Sequence, residues 1–196
     1  MNAKSLTVAA LAALGLSTSA FADAPAYPTP GVENPTTYTF TAAADGDLIA
    51  YFAGSTAGYD NRLSVLINGV QSSIYGLQDH TSAYGDSLNF GHVNAGDSIV
   101  FELVVDTTGE RFYSDPSLNY DNHFNHVWST GFGGDSAIPA GTYVAFEDLT
   151  YGGDKNYHDE TFVFTNVATS VPEPSSVLLM LAGLGAMGSV ARRRRG

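Results

Sequence analysis

Three hydrophobic patterns follow one another along the chain. Leu6 to Leu16 (LTVAALAALGL) is a short apolar stretch behind Lys4. Ser175 to Ala191 is a second apolar run, uncharged throughout. Between them, apolar and polar residues alternate with period two, or gather in short β-branched and aromatic runs. Thr36 to Thr41, Asp47 to Phe52, Leu63 to Ile67, Val70 to Tyr75, Ser98 to Val105, Arg111 to Tyr113, His126 to Ser129, Thr142 to Phe146 and Thr161 to Val167 each predict a strand. No helical period occurs inside this body.

Turn signals separate the runs. Asp45-Gly46, Ala95-Gly96-Asp97 and Thr107 to Glu110 each supply residues that tolerate unusual φ. Asn68-Gly69 is the strongest, because both central residues of a type I′ hairpin turn need positive φ. About eight or nine short strands at this spacing predict an all-β fold, an antiparallel β-sandwich of jelly-roll-like kind. Alternation places Tyr38, Phe40, Leu48, Ala50, Phe52, Leu63, Val65, Ile67, Val100, Phe101, Leu103, Val144, Phe146, Phe162 and Phe164 in the core. Along Ser98 to Val105 the face is decided by Glu102, which points its row outward and turns Phe101, Leu103 and Val105 inward.

The two apolar ends do not fit the sandwich. A basic start, an apolar stretch and small residues at Ala20 and Ala22 define a secretory signal peptide over 1–22. Cleavage is expected after Ala22, or after Ala24 as second choice. The C-terminal run is near the lower length limit for a membrane-spanning helix. Arg192, Arg193, Arg194 and Arg195 follow it and would stay on the cytoplasmic side as a membrane stop. The expected layout is a signal helix over 1–22, a proline-rich linker over 23–35, a β domain over 36–170 and an anchoring tail over 171–196.

Val171, Pro172, Glu173 and Pro174, an apolar run and a terminal arginine cluster occur in that order. This resembles the PEP-CTERM sorting signal of Gram-negative bacteria. The resemblance implies cleavage near the Pro-Glu-Pro motif by an exosortase, a membrane-embedded cysteine protease. It implies transient anchoring in the inner membrane, then release to the cell surface or the extracellular matrix. Signal peptidase and exosortase would be the partners during export. The same tail is sometimes labelled an ice-binding protein C-terminal domain, a label that describes the tail and not the body.

Charge narrows the partners of the body. From Pro25 to Ser170 it holds 18 acidic residues against Arg62, Arg111 and Lys155, a net −15 where the whole chain has −12. Nucleic acid is excluded as a natural partner, since binding it relies on Lys and Arg. Dissolved cations are favoured. With no cysteine, an exported domain must hold by packing or by metal.

The densest chemistry lies in Phe146 to Phe164, where a strand ends in Glu147-Asp148, a Gly152-Gly153 loop follows, and Asp154, Asn156, Asp159 and Glu160 precede the next strand. Over roughly residues 85 to 167 this resembles the DUF4114 family, an aromatic-Glu-Asp strand end with a GGD-type loop, often found with PEP-CTERM tails. Asp148, Asp154, Asn156 and Asp159 suit Ca²⁺, which takes about 6–8 oxygen ligands. The alternative is that these Asp and Asn residues cap their own turns. An EF-hand is excluded, because Asp159 stands at its glycine position and Thr165 at its final glutamate.

Other chemistry is weaker. Asp121, His123 and His126 have ligand character for zinc, against a reading of His126 as part of a structural hydrogen-bond network. His80 and His158 read as surface residues. No nucleophile elbow or Ser-His-Asp order is present. Glu102, Glu147 and Asp148 are the acids from which a glycosidase pair could be drawn, but acids are abundant here. Trp128 and Tyr151, with Tyr113, Tyr120 and Tyr157, could stack on sugars. The expectation is a non-enzymatic structural or adhesive surface protein, with calcium as candidate stabiliser. An exopolysaccharide-binding module is the first alternative; a glycan hydrolase or an ice-binding protein ranks lower.

Overall fold

The computed structural model describes residues 24–171. The signal peptide expected over 1–22, Pro172 to Pro174, the apolar run and Arg192 to Arg195 lie outside the described residues. Among the described residues no helix is long and apolar enough to cross a membrane.

The body is all-β. In chain order the strands are β1 (Thr39–Ala42), β2 (Gly46–Ser55), β3 (Asn61–Ile67), β4 (Val70–Gln71), β5 (Ser87–Val93) and β6 (Ser98–Val105). They continue as β7 (Glu110–Tyr113), β8 (Val127–Phe132), β9 (Gly141–Phe146), β10 (Glu160–Thr165) and β11 (Val167–Ser170). Two single 3₁₀ turns, Pro116–Leu118 and Thr150–Gly152, sit in loops. One sheet runs β11-β1-β6-β3-β4, with β7 also paired to β6; the other runs β5-β2-β10-β9-β8. Every strand pairing in both sheets is antiparallel.

Strand β6 organises the first sheet. Its full length pairs with β3, from Asn61 opposite Val105 to Ile67 opposite Ile99. Its other edge is shared by β1 and β7. The Asn68-Gly69 turn closes β3 onto β4 with φ of 51° and 76°, the two positive values that a type I′ turn requires.

Between the sheets lie Phe40, Leu63, Val65, Phe101, Leu103, Phe162 and Phe164, all at most 2 % exposed. Phe101 of the first sheet stacks on Phe164 of the second with ring centroids 3.9 Å apart. Burying each such side chain is worth about 1.5–3 kcal/mol. The inward row of β6 is Phe101-Leu103-Val105, as Glu102 indicates. Glu102 is nevertheless fully buried. On the outer face it accepts Arg111 Nη1 at 2.5 Å and Gln71 Nε2 at 2.8 Å, so its charge is neutralised without solvent. Val100, expected in the core, is only half-buried.

Three departures from the sequence reading have local causes. The run Val70 to Tyr75 pairs as a strand only over Val70–Gln71. Ser87–Val93 is a strand that the alternation conceals, because SLNFGHV carries Gly91 at φ 96° and lies on a sheet edge with little to bury. Thr161 to Val167 divides between β10 and β11 at Asn166, which has φ 62°. Its amide accepts from Ala44 N at 2.9 Å and donates to Ala44 O at 3.0 Å.

The outer face of the second sheet is also covered. Tyr27, Ile138, Tyr143, Tyr157 and Val163 form a second cluster, with Trp128 packed against it. Tyr27 comes from the segment expected as a linker. That segment is docked on the body: Asn34 is 4 % exposed, donates its backbone N–H to Tyr157 Oη at 2.9 Å and donates Nδ2 to Val127 O at 2.9 Å. Burial on both faces explains why β9 and β10 read as continuous apolar runs rather than clean alternations.

Candidate functional site at one end of the sandwich

Side chains two apart on a strand share a face. The inward row of β10 therefore runs Phe164, Phe162, Glu160, and that of β3 runs Val65, Leu63, Asn61. The inward row of β9 runs Val144, Phe146 and continues past the strand end to Asp148. Phe146 is directly opposite Glu160. Three apolar rows thus end in oxygen-bearing side chains, and the same end of the sandwich holds all three.

Contacts join Asn61 to Asp148 and Asp79, and the charges of Asp79 and Asp148 act on Glu160. Asn61 Nδ2 donates to Asp148 Oδ2 at 2.8 Å. Asn61 N donates to Asp79 Oδ1 at 3.0 Å, drawing in the loop between β4 and β5. Asn61 and Glu160 are fully buried, Asp148 is 3 % exposed and Asp79 8 %. Four buried oxygens in this group have no hydrogen-bond partner among the described residues: Asn61 Oδ1, Asp79 Oδ2 and both carboxylate oxygens of Glu160. Asp79 Oδ2 has His80 Nε2 at 3.5 Å as its nearest ionic neighbour. Burial raises the Glu160 pKa well above its ordinary value, and the charges of Asp79, Asp148, Asp106 and Asp159 raise it further.

The four residues expected to bind calcium separate into two pairs. Asp148 and Asp159 are joined by Asp148 N donating to Asp159 Oδ2 at 3.0 Å. Burial, then the charges of Asp148 and Asp154, push Asp159 up to about 7. Asp154 is exposed; it accepts from Asn156 Nδ2 at 2.6 Å and from Asn156 N at 3.2 Å. Asp154 and Asn156 thereby cap their own turn. The oxygens of Asp148, Asp154 and Asp159 do not all come within 4.8 Å of one another; among the described residues, the trio of acid and histidine ligand atoms that does is Asp60, Asp79 and His80. Sequence reasoning missed Asn61 and Asp79, and it noted Glu160 in the acidic stretch without drawing it into the ligand set. For Asn61 and Glu160 the signal was available: each is the polar terminus of an apolar period-two row.

The histidine cluster is a structural network. His126 is fully buried, with Nδ1 2.9 Å from Glu147 O and Nε2 2.9 Å from Asp121 Oδ2. Its ring stacks on Phe112 at 3.9 Å. Both ring nitrogens are engaged, so no lone pair faces a metal. Burial lowers its pKa and Asp121 opposes that shift. His123 and His158 are exposed, while His80 uses Nδ1 on Asp60 at 2.7 Å.

Glu102, Glu147 and Asp148 are carried on three different surfaces. Glu102 lies on the outer face of the first sheet, Glu147 on the outer face of the second with Tyr143 and Ala145, and Asp148 between them. Burial pushes Glu147 up to about 8, against the Tyr157 N–H that donates to its Oε1. Of the expected stacking residues, Trp128 is half-buried, with the rings of Tyr27 and Tyr143 edge-on at 5.8 and 5.9 Å. Tyr151 is 59 % exposed, and Tyr120 is similarly exposed. Their loops touch: Tyr120 Oη is 2.9 Å from Thr150 Oγ1, and Tyr151 N donates to Asp121 Oδ2 at 2.7 Å.

Residues 170–195 match the PEP-CTERM protein-sorting motif. The matched segment starts at the last residue of β11 and holds the Val171 to Pro174 and Arg192 to Arg195 elements. It identifies the chain as an exported protein, transiently membrane-anchored before cleavage by exosortase. Neither a curated protein nor a solved structure matches the chain.

Proposed function

We propose that the chain is a non-catalytic structural or adhesive protein of the cell surface or extracellular matrix, with a DUF4114-like body. The match at residues 170–195 carries this reading. A rigid, cysteine-free sandwich of net −15 is consistent with it. Signal peptidase would remove the leader and exosortase the tail. Fractionation of the native cell with an antibody to the body tests the proposal. The expected result is a body shortened at both ends, in the surface or matrix fraction. Deletion of residues 170–196 should abolish that retention. Uncut chain in the cytosol would overturn the reading.

A second reading, binding of exopolysaccharide, is favoured by exposed Tyr120 and Tyr151 on two loops that touch. Leu118 and Leu149, also exposed, extend the same two loops. Aromatic faces with polar tips suit sugar rings. Glycan hydrolysis has less support, since Glu102, Glu147 and Asp148 do not share a cleft. Ice binding has less still, since only Thr39 and Thr41 of TTYTFT lie in a strand.

A further inference from the structure

We propose that the end of the sandwich holds a hard divalent cation of the calcium class, ligated by Asn61 Oδ1, Asp79, Asp148 and Glu160. This set shares only Asp148 with the loop expected from the sequence. It is independent of the sorting reading.

The Glu160 carboxyl carries the argument. It is fully buried, and neither oxygen has a hydrogen-bond partner among the described residues. Ionised, it would be an uncompensated buried charge among other acids. Protonated, it would still leave its C=O without a donor, and an unsatisfied buried polar group is costly in either state. A cation satisfies both oxygens at once.

Asn61 adds an independent orientation. Its Nδ2 is fixed on Asp148 and its backbone N on Asp79. The opposite amide oxygen is left buried and unpartnered. An amide that donates to one carboxylate while aiming its oxygen away is poised to accept a cation. Protein bases do not fill that role. Arg62 pairs with Asp106 at 3.0 Å and Arg111 with Glu102. Among the described residues, neither Arg nor Lys forms an ion pair with Asp79, Asp148 or Glu160.

The donor set is all oxygen, with an amide and a carboxylate whose two oxygens are both available. That suits calcium, which accepts bidentate carboxylates and irregular geometry, better than magnesium, which demands a near-ideal octahedron. Asp79, Asp148 and Glu160 are wider apart than the 4.8 Å grouping that Asp60, Asp79 and His80 meet. Closure on an ion therefore involves side-chain movement, which again favours the larger ion. Asp60 and His80 are themselves half-exposed and already bonded to each other; they form the rim.

Calcium binding to the full chain, purified in a mild non-ionic detergent, tests the site by equilibrium dialysis and by melting with calcium, magnesium or chelator. The expected result is saturable calcium binding and a melting temperature raised by calcium more than by magnesium. Glu160→Gln should weaken binding at least tenfold, whereas Asp154→Ala should leave it within about twofold. Asn61→Asp guards against a variant that merely misfolds: it should melt lower than the native chain in chelator and gain more from calcium. No calcium binding and identical melting curves in calcium and chelator would overturn the proposal. So would equal loss from Asn61→Asp under both conditions, or loss of binding in Asp154→Ala with retention in Glu160→Gln.

Discussion

His126 Nε2 lies 2.9 Å from Asp121 Oδ2, and neither side chain is exposed. The same carboxylate oxygen accepts Tyr151 N, and the other ring nitrogen faces Glu147 O. One pair therefore ties the loop before β8 to the loop after β9. Truncating Asp121 to Ala would leave the ring and the Tyr151 N–H without their acceptor. A buried donor left without its acceptor costs about 1–3 kcal/mol. Urea unfolding of Asp121→Ala should show a loss of that size, and a loss below about 1 kcal/mol would show that the network is not structural.

Stability should fall as pH rises when divalent cations are chelated. Glu147 and Asp159 are raised from ordinary values of 4.5 and 3.8 to about 8 and about 7. Burial makes both easier to protonate in the folded chain than in the unfolded one. The folded state then binds more protons between those limits, so stability declines with rising pH across that window. The contribution is complete below pH 3.8 and lost by about pH 8. Melting temperatures across this range should decline in chelator, and Glu147→Gln should flatten the upper part of the decline.

Gly152 has no room for a side chain. Its φ is +68°, and a Cβ there would overlap the Phe124 ring. Gly31 has φ +85° with open space around it. Gly31→Ala should cost about 1–2 kcal/mol, the penalty of the left-handed backbone alone. Gly152→Ala should cost more, because overpacking adds about 1–3 kcal/mol. Equal midpoints for the two variants in chemical denaturation would contradict this.

Trp128 and Tyr151 should separate by experiment. Tyr151→Ala and Tyr120→Ala should weaken retention in exopolysaccharide gels about tenfold or more, with the melting temperature unchanged in Tyr151→Ala alone, since the Tyr120 ring stacks on Phe112 and its hydroxyl meets Thr150. Trp128→Ala should lower the melting temperature instead, since its ring packs against Tyr27 and Tyr143. Retention unchanged in the tyrosine variants would remove the carbohydrate reading.

The sandwich was legible where alternation was clean. Ser98 to Val105 is a strand over its predicted span, and Glu102 correctly assigned its two faces. Glu102 also shows the limit: period two says which way a residue points, but not that Gln71 and Arg111 close over it. The edge strand β5 was illegible because an edge has less to bury. The acid loop misled for a related reason. Asp154 and Asn156 are close in sequence and satisfy each other, whereas Glu160, Asn61 and Asp79 are far apart in sequence and adjacent only once two sheets pack.

Strand β11 ends at Ser170, hydrogen bonded into the first sheet beside β1. The Val-Pro-Glu-Pro sequence starts at the very next residue. An exosortase cut at this motif would leave almost no slack between the scissile bond and a finished globule. A bulky shoulder of protein would then sit against the protease mouth, and lengthening that junction by a few flexible residues should quicken maturation, read as the rate at which the shortened body accumulates.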